Sequence, residues 1–378
     1  MDRRRDVGVV LSGGGVNGVF MELGFLLRLR ESPLWPRIGW FFGTSSGALS
    51  GVMAALDRVD DLERFLLSLQ PAETFRPQRL WRLPFLGLHD YALPRTIERE
   101  FGDLTAIAED LARCPVELVV CATDVTDDHD NGSTTYELAY SSRTTPPDVM
   151  AQAVLASGAI SAMVMPLRVG DRIATDGAWV RNFPLGHAYD HPEVDLIVSF
   201  RYIPRYPRMG VAALQPLRRR LERFRRIPPI RAFLSELDEA EERARRGEPA
   251  HLGDMLVRLA RVAVLRNTLL EERYATEKDQ SLRELRALRH DVLGLLSDPA
   301  VRARVDERFT DARFPFRYDR LVPRITVEGS LDGPGLEQGF RTQPEWTVEE
   351  KRTLIDRGRR LTDEQLREIE PPLAAEAY

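Results

Sequence analysis

Apolar residues fall along this chain in two alternating rhythms. Short unbroken runs at 7–11, 38–42, 116–121, 173–175 and 195–200 read as buried strands. Between them the spacing widens to threes and fours. Val19, Phe20, Leu23, Leu26 and Leu27 follow the first run, and Leu49, Val52 and Met53 follow the second. Segments 61–70 and 104–113 have the same helical character. Strands alternating with helices predict an α/β fold of three layers, a mostly parallel sheet with helices on both faces.

Near residue 200 the rhythm changes. Residues 201–320 are rich in Arg and Glu and predict helices at 211–226, 230–246, 251–274, 281–296 and 300–308. Leu252, Met255, Leu256, Leu259 and Val262 fall on one helical face. Segment 324–327 reads as one last strand, and helices at 347–359 and 362–369 close the chain. Thr347 and Thr362 stand three residues before Glu350 and Gln365, the spacing of a capping box. The expected division is therefore an α/β domain over 1–200, a helical region over 201–320 serving as insertion, lid or interface, and a closing part over 321–378. Segment 75–93, with Trp81, Pro84 and Phe85, is a long apolar connection that either lines a channel or lid or simply packs.

Candidate chemistry sits where strands end. Gly43-Thr44-Ser45-Ser46-Gly47 joins the second run to a helix, a G-x-S-x-G elbow that exposes a serine hydroxyl on a sharp turn. Gly, Ser and Thr also make ordinary turns, so the motif needs company. Ser12-Gly13-Gly14-Gly15-Val16-Asn17-Gly18 supplies it after the first run. Consecutive glycines at a helix start leave backbone N–H groups bare beside the positive end of the helix dipole, a place for a phosphate or an oxyanion. Gly13, Gly15 and Gly18 also fit the dinucleotide fingerprint. However, no Asp or Glu lies between Glu31 and Asp57 to hold a ribose, and the serine elbow stands where one should be. Asp176-Gly177-Ala178 follows the fourth run and puts a carboxylate at a strand end, where open α/β sheets build their sites.

The ordered set Gly13-Gly14-Gly15-Val16-Asn17-Gly18, Gly43-Thr44-Ser45-Ser46-Gly47 and Asp176-Gly177-Ala178 resembles the patatin-like phospholipase family. Cys121-Ala122-Thr123-Asp124, Ala156-Ser157-Gly158-Ala159-Ile160 with Met165-Pro166, and Asn182-Phe183-Pro184 resemble further segments of it, so the likeness covers about residues 6–200. The resemblance implies a Ser–Asp dyad without histidine: Ser45 as nucleophile, Asp176 as base, and the amides of Gly13, Gly14 and Gly15 as oxyanion hole, with Asn17 and Gly18 beside the substrate. It implies hydrolysis of lipid or lysolipid esters (phospholipase A or lysophospholipase type) through an acyl-enzyme, with no cofactor and no metal. The chain departs from the family at Asn17, where Arg or Lys is usual, at Ser161, often Pro, and at Ala178, commonly Gly. The missing cation bears on head-group preference more than on acyl chemistry.

Two other readings stay open. A Ser–His–Asp esterase of α/β-hydrolase type would recruit His187 or His191. Both lie in what reads as a surface helix end, and the elbow comes early for that fold. A non-catalytic patatin-like binding protein is the other; retention of Ser45 and Asp176 speaks against it. The other histidines, at 89, 129, 251 and 290, show no ligand spacing.

Composition narrows the setting. The chain of 378 residues can bury a full core, and its net charge of −5 carries no nucleic-acid signature. No apolar run reaches spanning length, and the charged start leads into too short an apolar run for a signal peptide. Cys114 and Cys121 are the two cysteines and are not expected to pair. A cytoplasmic protein, with peripheral membrane contact as an option, is the expectation. That contact falls on segment 217–227, where Arg218, Arg219, Arg220 and Arg223 accompany Leu217, Leu221 and Phe224 on one helical face. Pairing of those arginines with the acidic run 236–242 is the alternative. All but two of the 53 basic residues are Arg, which reads as compositional bias.

Overall fold

The computed structural model describes residues 5–78, 89–126, 136–161, 163–203, 215–250, 252–311, 321–330, 336 and 345–367. Its strands are β1 (Val7–Leu11), β2 (Ile38–Thr44), β3 (Phe75–Pro77), β4 (His89–Tyr91), β5 (Glu117–Asp124), β6 (Glu137–Ser141), β7 (Leu167–Val169), β8 (Arg172–Asp176), β9 (Leu196–Ile203) and β10 (Arg324–Ser330). The helices of the first half are α1 (Gly15–Arg30), α2 (Ser46–Ala55), α3 (Val59–Ser68), α4 (Pro71–Thr74), α5 (Leu93–Phe101), α6 (Leu104–Arg113), α7 (Pro147–Ser157), α8 (Ala178–Arg181) and α9 (Leu185–Asp190). Those of the second half are α10 (Gln215–Glu222), α11 (Pro228–Arg245), α12 (Leu252–Leu295), α13 (Pro299–Asp311) and α14 (Val348–Arg367).

Eight strands make one sheet in the order β10-β9-β1-β2-β5-β8-β7, with β6 also on β5. The pairings from β10 through β5 are parallel; those of β5 with β6, β5 with β8, and β8 with β7 are antiparallel. Side chains alternate across this sheet with the period of two that a strand imposes. Val7, Val9 and Leu11 of β1, with Leu196, Val198 and Phe200 of β9, join the apolar core under α1, α2 and α14. Val10 and Ile197 point the other way, into a second core with Phe183, Leu185 and Tyr189. Two cores on two faces make the three layers.

The far end of the chain completes the first domain's layers. β10 extends the parallel sheet beside β9, and α14 packs along α1. The two helices touch backbone to backbone: a Cβ on Gly358 would stand 1.9 Å from the Met21 carbonyl oxygen, and one on Gly24 would stand 2.0 Å from that of Ile355. Fully buried Lys351 donates to the Leu67 and Leu69 carbonyls at 2.7 and 2.6 Å, pinning α14 to the end of α3.

Several elements differ from expectation for local reasons. Segments 251–274 and 281–296 merge into α12, because Ala275 to Gln280 contains no breaker and buried Ala275 and Leu282 keep the packed face continuous. The Thr347 box forms as expected, Glu350 N donating to Thr347 Oγ1 at 3.2 Å and Thr347 N to Glu350 Oε2 at 2.9 Å. Thr362 instead sits inside α14, its hydroxyl donating to the Gly358 carbonyl at 2.8 Å. Trp81, Pro84 and Phe85, and the start of the helix expected at 211, lie outside the described residues.

Candidate active site

Strand β5 is the ruler that sets the site. It pairs with β6 over 119–123, with β2 over 117–121 and with β8 over 122–124. A strand has two hydrogen-bonding edges, and β6 overlaps both other partners. β2 and β8 must therefore share the opposite edge, arriving from opposite directions. Thr44 stands across from Cys121 and Asp176 across from Ala122, so the two strands end face to face. The residue after Thr44 is Ser45.

The Ser45 hydroxyl donates to Asp176 Oδ2 at 2.8 Å, across 131 residues of sequence. The elbow holds Ser45 at φ 55°, ψ −119°, a conformation that an L-residue keeps only when its surroundings force it. The surroundings are tight: a Cβ on Gly47 would stand 2.3 Å from the Leu11 carbonyl oxygen. Ser157, on α7, fixes the elbow's backbone. Its Oγ accepts from Ser45 N at 2.8 Å and donates to the Cys121 carbonyl at 2.6 Å. Asp176 Oδ1 accepts from Ala178 N at 2.9 Å. Burial disfavours the Asp176 charge more than the bonds from Ala178 and Ser45 favour it, and its pKa rises from 3.8 to about 6.

The glycine loop lies beside the elbow, and its amides are not all free. Gly13 N donates to the Asn182 carbonyl at 2.9 Å, and Gly14 N to Ser46 Oγ at 2.9 Å. The amides of Gly15 and Val16, which open α1, carry no hydrogen bond among the described residues. Of the three glycines expected to form the oxyanion hole, Gly13 and Gly14 thus have their amides engaged within the fold. Asn17 and Gly18, expected beside the substrate, both make contacts within the fold. Asn17 is 3% exposed, and its Oδ1 accepts from Leu336 N at 2.7 Å, so it anchors the far end of the chain to α1. Gly18 N closes onto the Gly14 carbonyl, and the residue packs beside Tyr202.

A cavity of about 140 Å³ opens against Ser45, Gly15 and Val16 and runs between α1, α2, α3, α5, α6 and α7. Leu49, Leu66, Ile97, Ala108 and Leu111 are among the apolar side chains that line it. Phe75 and Leu93, from the long apolar connection, line it as well.

No described histidine bonds to Ser45 or Asp176. His187 is half-buried rather than solvated. Its Nε2 meets Glu137 Oε1 at 2.6 Å, and the Arg181 guanidinium reaches that same oxygen at 2.5 Å. Burial opposes the imidazolium, but Cys121 and Glu137 outweigh it and raise the His187 pKa; Arg181 and His187 hold the Glu137 carboxyl below its usual range. Cys121, Glu137 and His187 offer ligand atoms within 4.8 Å of one another, yet Arg181 already supplies a cation to that carboxylate. His191 packs its ring against Trp40, tilted at 45° with centroids 4.7 Å apart. Ser161 accepts from Trp179 Nε1 at 2.8 Å and meets Thr175 Oγ1 at 2.7 Å, so it braces the strand that carries Asp176.

Among curated protein sequences none matches the chain. Among solved structures it is similar to VipD from Legionella pneumophila, at 13% identity over 96% of this chain and 67% of that one, with a TM-score of 0.42. Human GIVD cytosolic phospholipase A2 aligns at 13% identity over 52% of this chain and 42% of its own, TM-score 0.33. Its complex with methyl gamma-linolenyl fluorophosphonate and terbium chloride aligns at 15% identity over 58% and 43%, TM-score 0.33. The alignment therefore takes in less than half the length of the human enzyme. The family model described as patatin-like phospholipase matches residues 9–189, from β1 through the Ser45 elbow and Asp176 to α9. By that match and by its mostly parallel sheet between helical layers, residues 9–189 of this chain are similar to the patatin-like phospholipase family and carry its fold.

Proposed function

We propose that the chain hydrolyses carboxylic esters of lipids through Ser45 and Asp176. The observation that carries this reading is the 2.8 Å bond between the two side chains at the mouth of an apolar cavity. In the first step the ionised Asp176 takes the Ser45 proton as Oγ attacks the ester carbonyl. The negative charge formed on the carbonyl oxygen faces the unengaged amides of Gly15 and Val16 and the positive end of α1. Protonated Asp176 then returns its proton to the departing alcohol, leaving the acyl group on Ser45. A water, deprotonated in the same way, releases the fatty acid and restores the serine. The cavity takes the acyl chain, which favours phospholipase A or lysophospholipase substrates, with neutral acylglycerols tested beside them. A base with a pKa near 6 is mostly ionised at neutral pH and far more basic than an exposed aspartate.

No observation favours a histidine triad: His187 Nε2 is paired with Glu137, and Ser45 with Asp176. The Ser45–Asp176 pair supplies the test. A fluorophosphonate probe labels the wild type and leaves Ser45→Ala unlabelled. Asp176→Asn loses about 10³-fold or more in kcat on a panel of phospholipids, lysophospholipids and acylglycerols. The acid limb of kcat/KM falls about tenfold per unit below a pKa of about 6, because only ionised Asp176 can accept the proton. An unlabelled wild type inactive on the whole panel sinks the enzyme reading. Full activity in Asp176→Asn sinks the dyad.

A further inference from the structure

Helix α12 carries an apolar face that nothing among the described residues covers. Leu252, Met255, Leu256, Leu259, Val262 and Leu269 are between 41% and 68% exposed. At 3.6 residues per turn they fall within an arc of about 140°. The opposite side of the helix is the packed one, where Asp254, Thr268, Ala275 and Leu282 are buried. Scattered exposed leucines need no explanation, but a continuous face of them over five turns does.

The helix that carries this face adjoins the site through its packed side. Thr268 accepts from Asn182 Nδ2 at 3.1 Å, and the Asn182 carbonyl holds the Gly13 amide. Asn267 donates to the carbonyl of Trp179, which is 37% exposed and is bonded through its indole to Ser161. Ile160, next to Ser161, lines the cavity. A body resting on α12 and Trp179 would thus lie at the rim of the chamber that holds Ser45.

Charge decides what kind of body. Between residues 255 and 270 the charged residues are Arg258, Arg261 and Arg266, with no Asp or Glu. Arg266 is exposed within the apolar arc, and neither it nor Arg261 is in an ion pair among the described residues. Asp254, at the start of the helix, is buried against Arg258 and the Ala250 amide. A second copy of the chain, packed antiparallel on this stretch, would set arginine against arginine without a carboxylate between them. An anionic lipid surface meets both demands, apolar depth for the leucines and negative head groups for Arg266, which of the three arginines is the one that lies in the apolar arc.

We infer that α12, over residues 252–270 with Trp179, is the surface on which the protein docks to an anionic phospholipid bilayer. Segment 217–227, the docking element expected from the sequence, keeps Arg219, Arg220 and Arg223 exposed but is committed in part to internal pairs. There Arg218 is committed to Asp238 and Glu241, the internal pairing that the sequence left open. The inference rests on the lipid-hydrolase reading for its purpose, but binding can be measured without turnover.

The test uses full-length protein carrying Ser45→Ala, sedimented with vesicles of phosphatidylcholine containing phosphatidylglycerol, and with phosphatidylcholine alone. The parent pellets with the anionic vesicles, and Leu256→Gln with Leu259→Gln weakens that partitioning about tenfold or more. The two leucines are exposed, so the melting temperature stays that of the parent. Arg219→Gln, Arg220→Gln and Arg223→Gln together leave most of the binding in place. Several results overturn the inference: no pelleting of the parent, unchanged pelleting of the leucine variant, or loss only in the arginine variant. So does a parent that elutes as a dimer and becomes a monomer with the leucine substitutions, which assigns the face to a second copy. Wild-type protein that binds vesicles through α12 but hydrolyses nothing leaves the docking surface standing and removes the catalytic reading alone.

Discussion

Ser45 and Glu22 show opposite uses of a buried polar side chain. Ser45 holds a strained backbone and a 2.8 Å bond to Asp176, and both of its motifs stood in the sequence as glycine-flanked turns. Ser157 was also in view, inside a run of small residues, but nothing in the sequence said that its hydroxyl would hold the Ser45 amide. Asn17 was legible only as a missing cation. Its actual partner, the Leu336 amide, lies 319 positions away, beyond any local pattern. Glu22, on the apolar side of α1, left no signal at all. It is completely buried, one oxygen accepts from Ser50 Oγ at 2.7 Å, and the other has no hydrogen-bond partner among the described residues. Burial outweighs the Ser50 bond and lifts its pKa from 4.5 to about 8. The sign follows from linkage. The folded pKa lies above the unfolded one, so the stability linked to this group is full below about pH 4.5 and is lost as pH rises through about 8. Glu22→Gln, neutral at every pH, should therefore melt above the wild type at pH 8.5 and lose that advantage at pH 5. Melting curves that shift in parallel over this range would show that Glu22 does not titrate in the fold.

Elements were easiest to read where one rhythm ran unbroken. All five strands inferred from apolar runs in the first 200 residues exist, and Leu104–Arg113 matches its helix end for end. The strands that escaped notice are short or partly exposed: β6 and β7, toward the antiparallel side of the sheet, and β3 and β4, a three-residue pair inside the apolar connection 75–93. Merged helices escaped for a different reason. The apolar spacing pauses between 274 and 281, but a helix needs Gly, Pro or a cap to end, and Ala275 to Gln280 supplies none. The crossing of α1 and α14 is the contact the sequence hid most completely, since it depends on two glycines in separate helices with no motif between them. With a Cβ on Gly358 only 1.9 Å from the Met21 carbonyl oxygen, Gly358→Ala must push the helices apart. The better helix propensity of alanine, about 1 kcal/mol, is smaller than the overpacking cost of up to about 3 kcal/mol. The variant should unfold at lower denaturant concentration than wild type. Gly294→Ala, where an added Cβ meets nothing within 4 Å, should not. Equal midpoints for the two would mean that α14 does not press on α1.

On the scale of the whole molecule the chain closes on itself around one apolar chamber. Its walls come from helices between residues 15 and 158, and Trp346 adds to them from the other end of the sequence. That closure makes chamber size a property of the assembled fold, one that no motif could report. It also makes size testable without touching Ser45 or Asp176. Ala108 lies on α6, buried at the wall among Leu104, Ile107 and Leu111. Ala108→Phe fills space that a long acyl chain would need, at a folding cost of about 1–3 kcal/mol. Each methylene denied its place is worth about 1–3 kcal/mol in selectivity, so the loss should grow with chain length. In a series of p-nitrophenyl esters the variant should keep kcat/KM for butyrate within about threefold, and lose more than about tenfold for laurate and palmitate. The labelling rate of Ser45 by a small fluorophosphonate should stay unchanged, separating a shortened chamber from a damaged nucleophile. A uniform loss across all chain lengths with normal labelling would mean that the acyl group does not enter between α2 and α6, and another path from Ser45 would have to be sought.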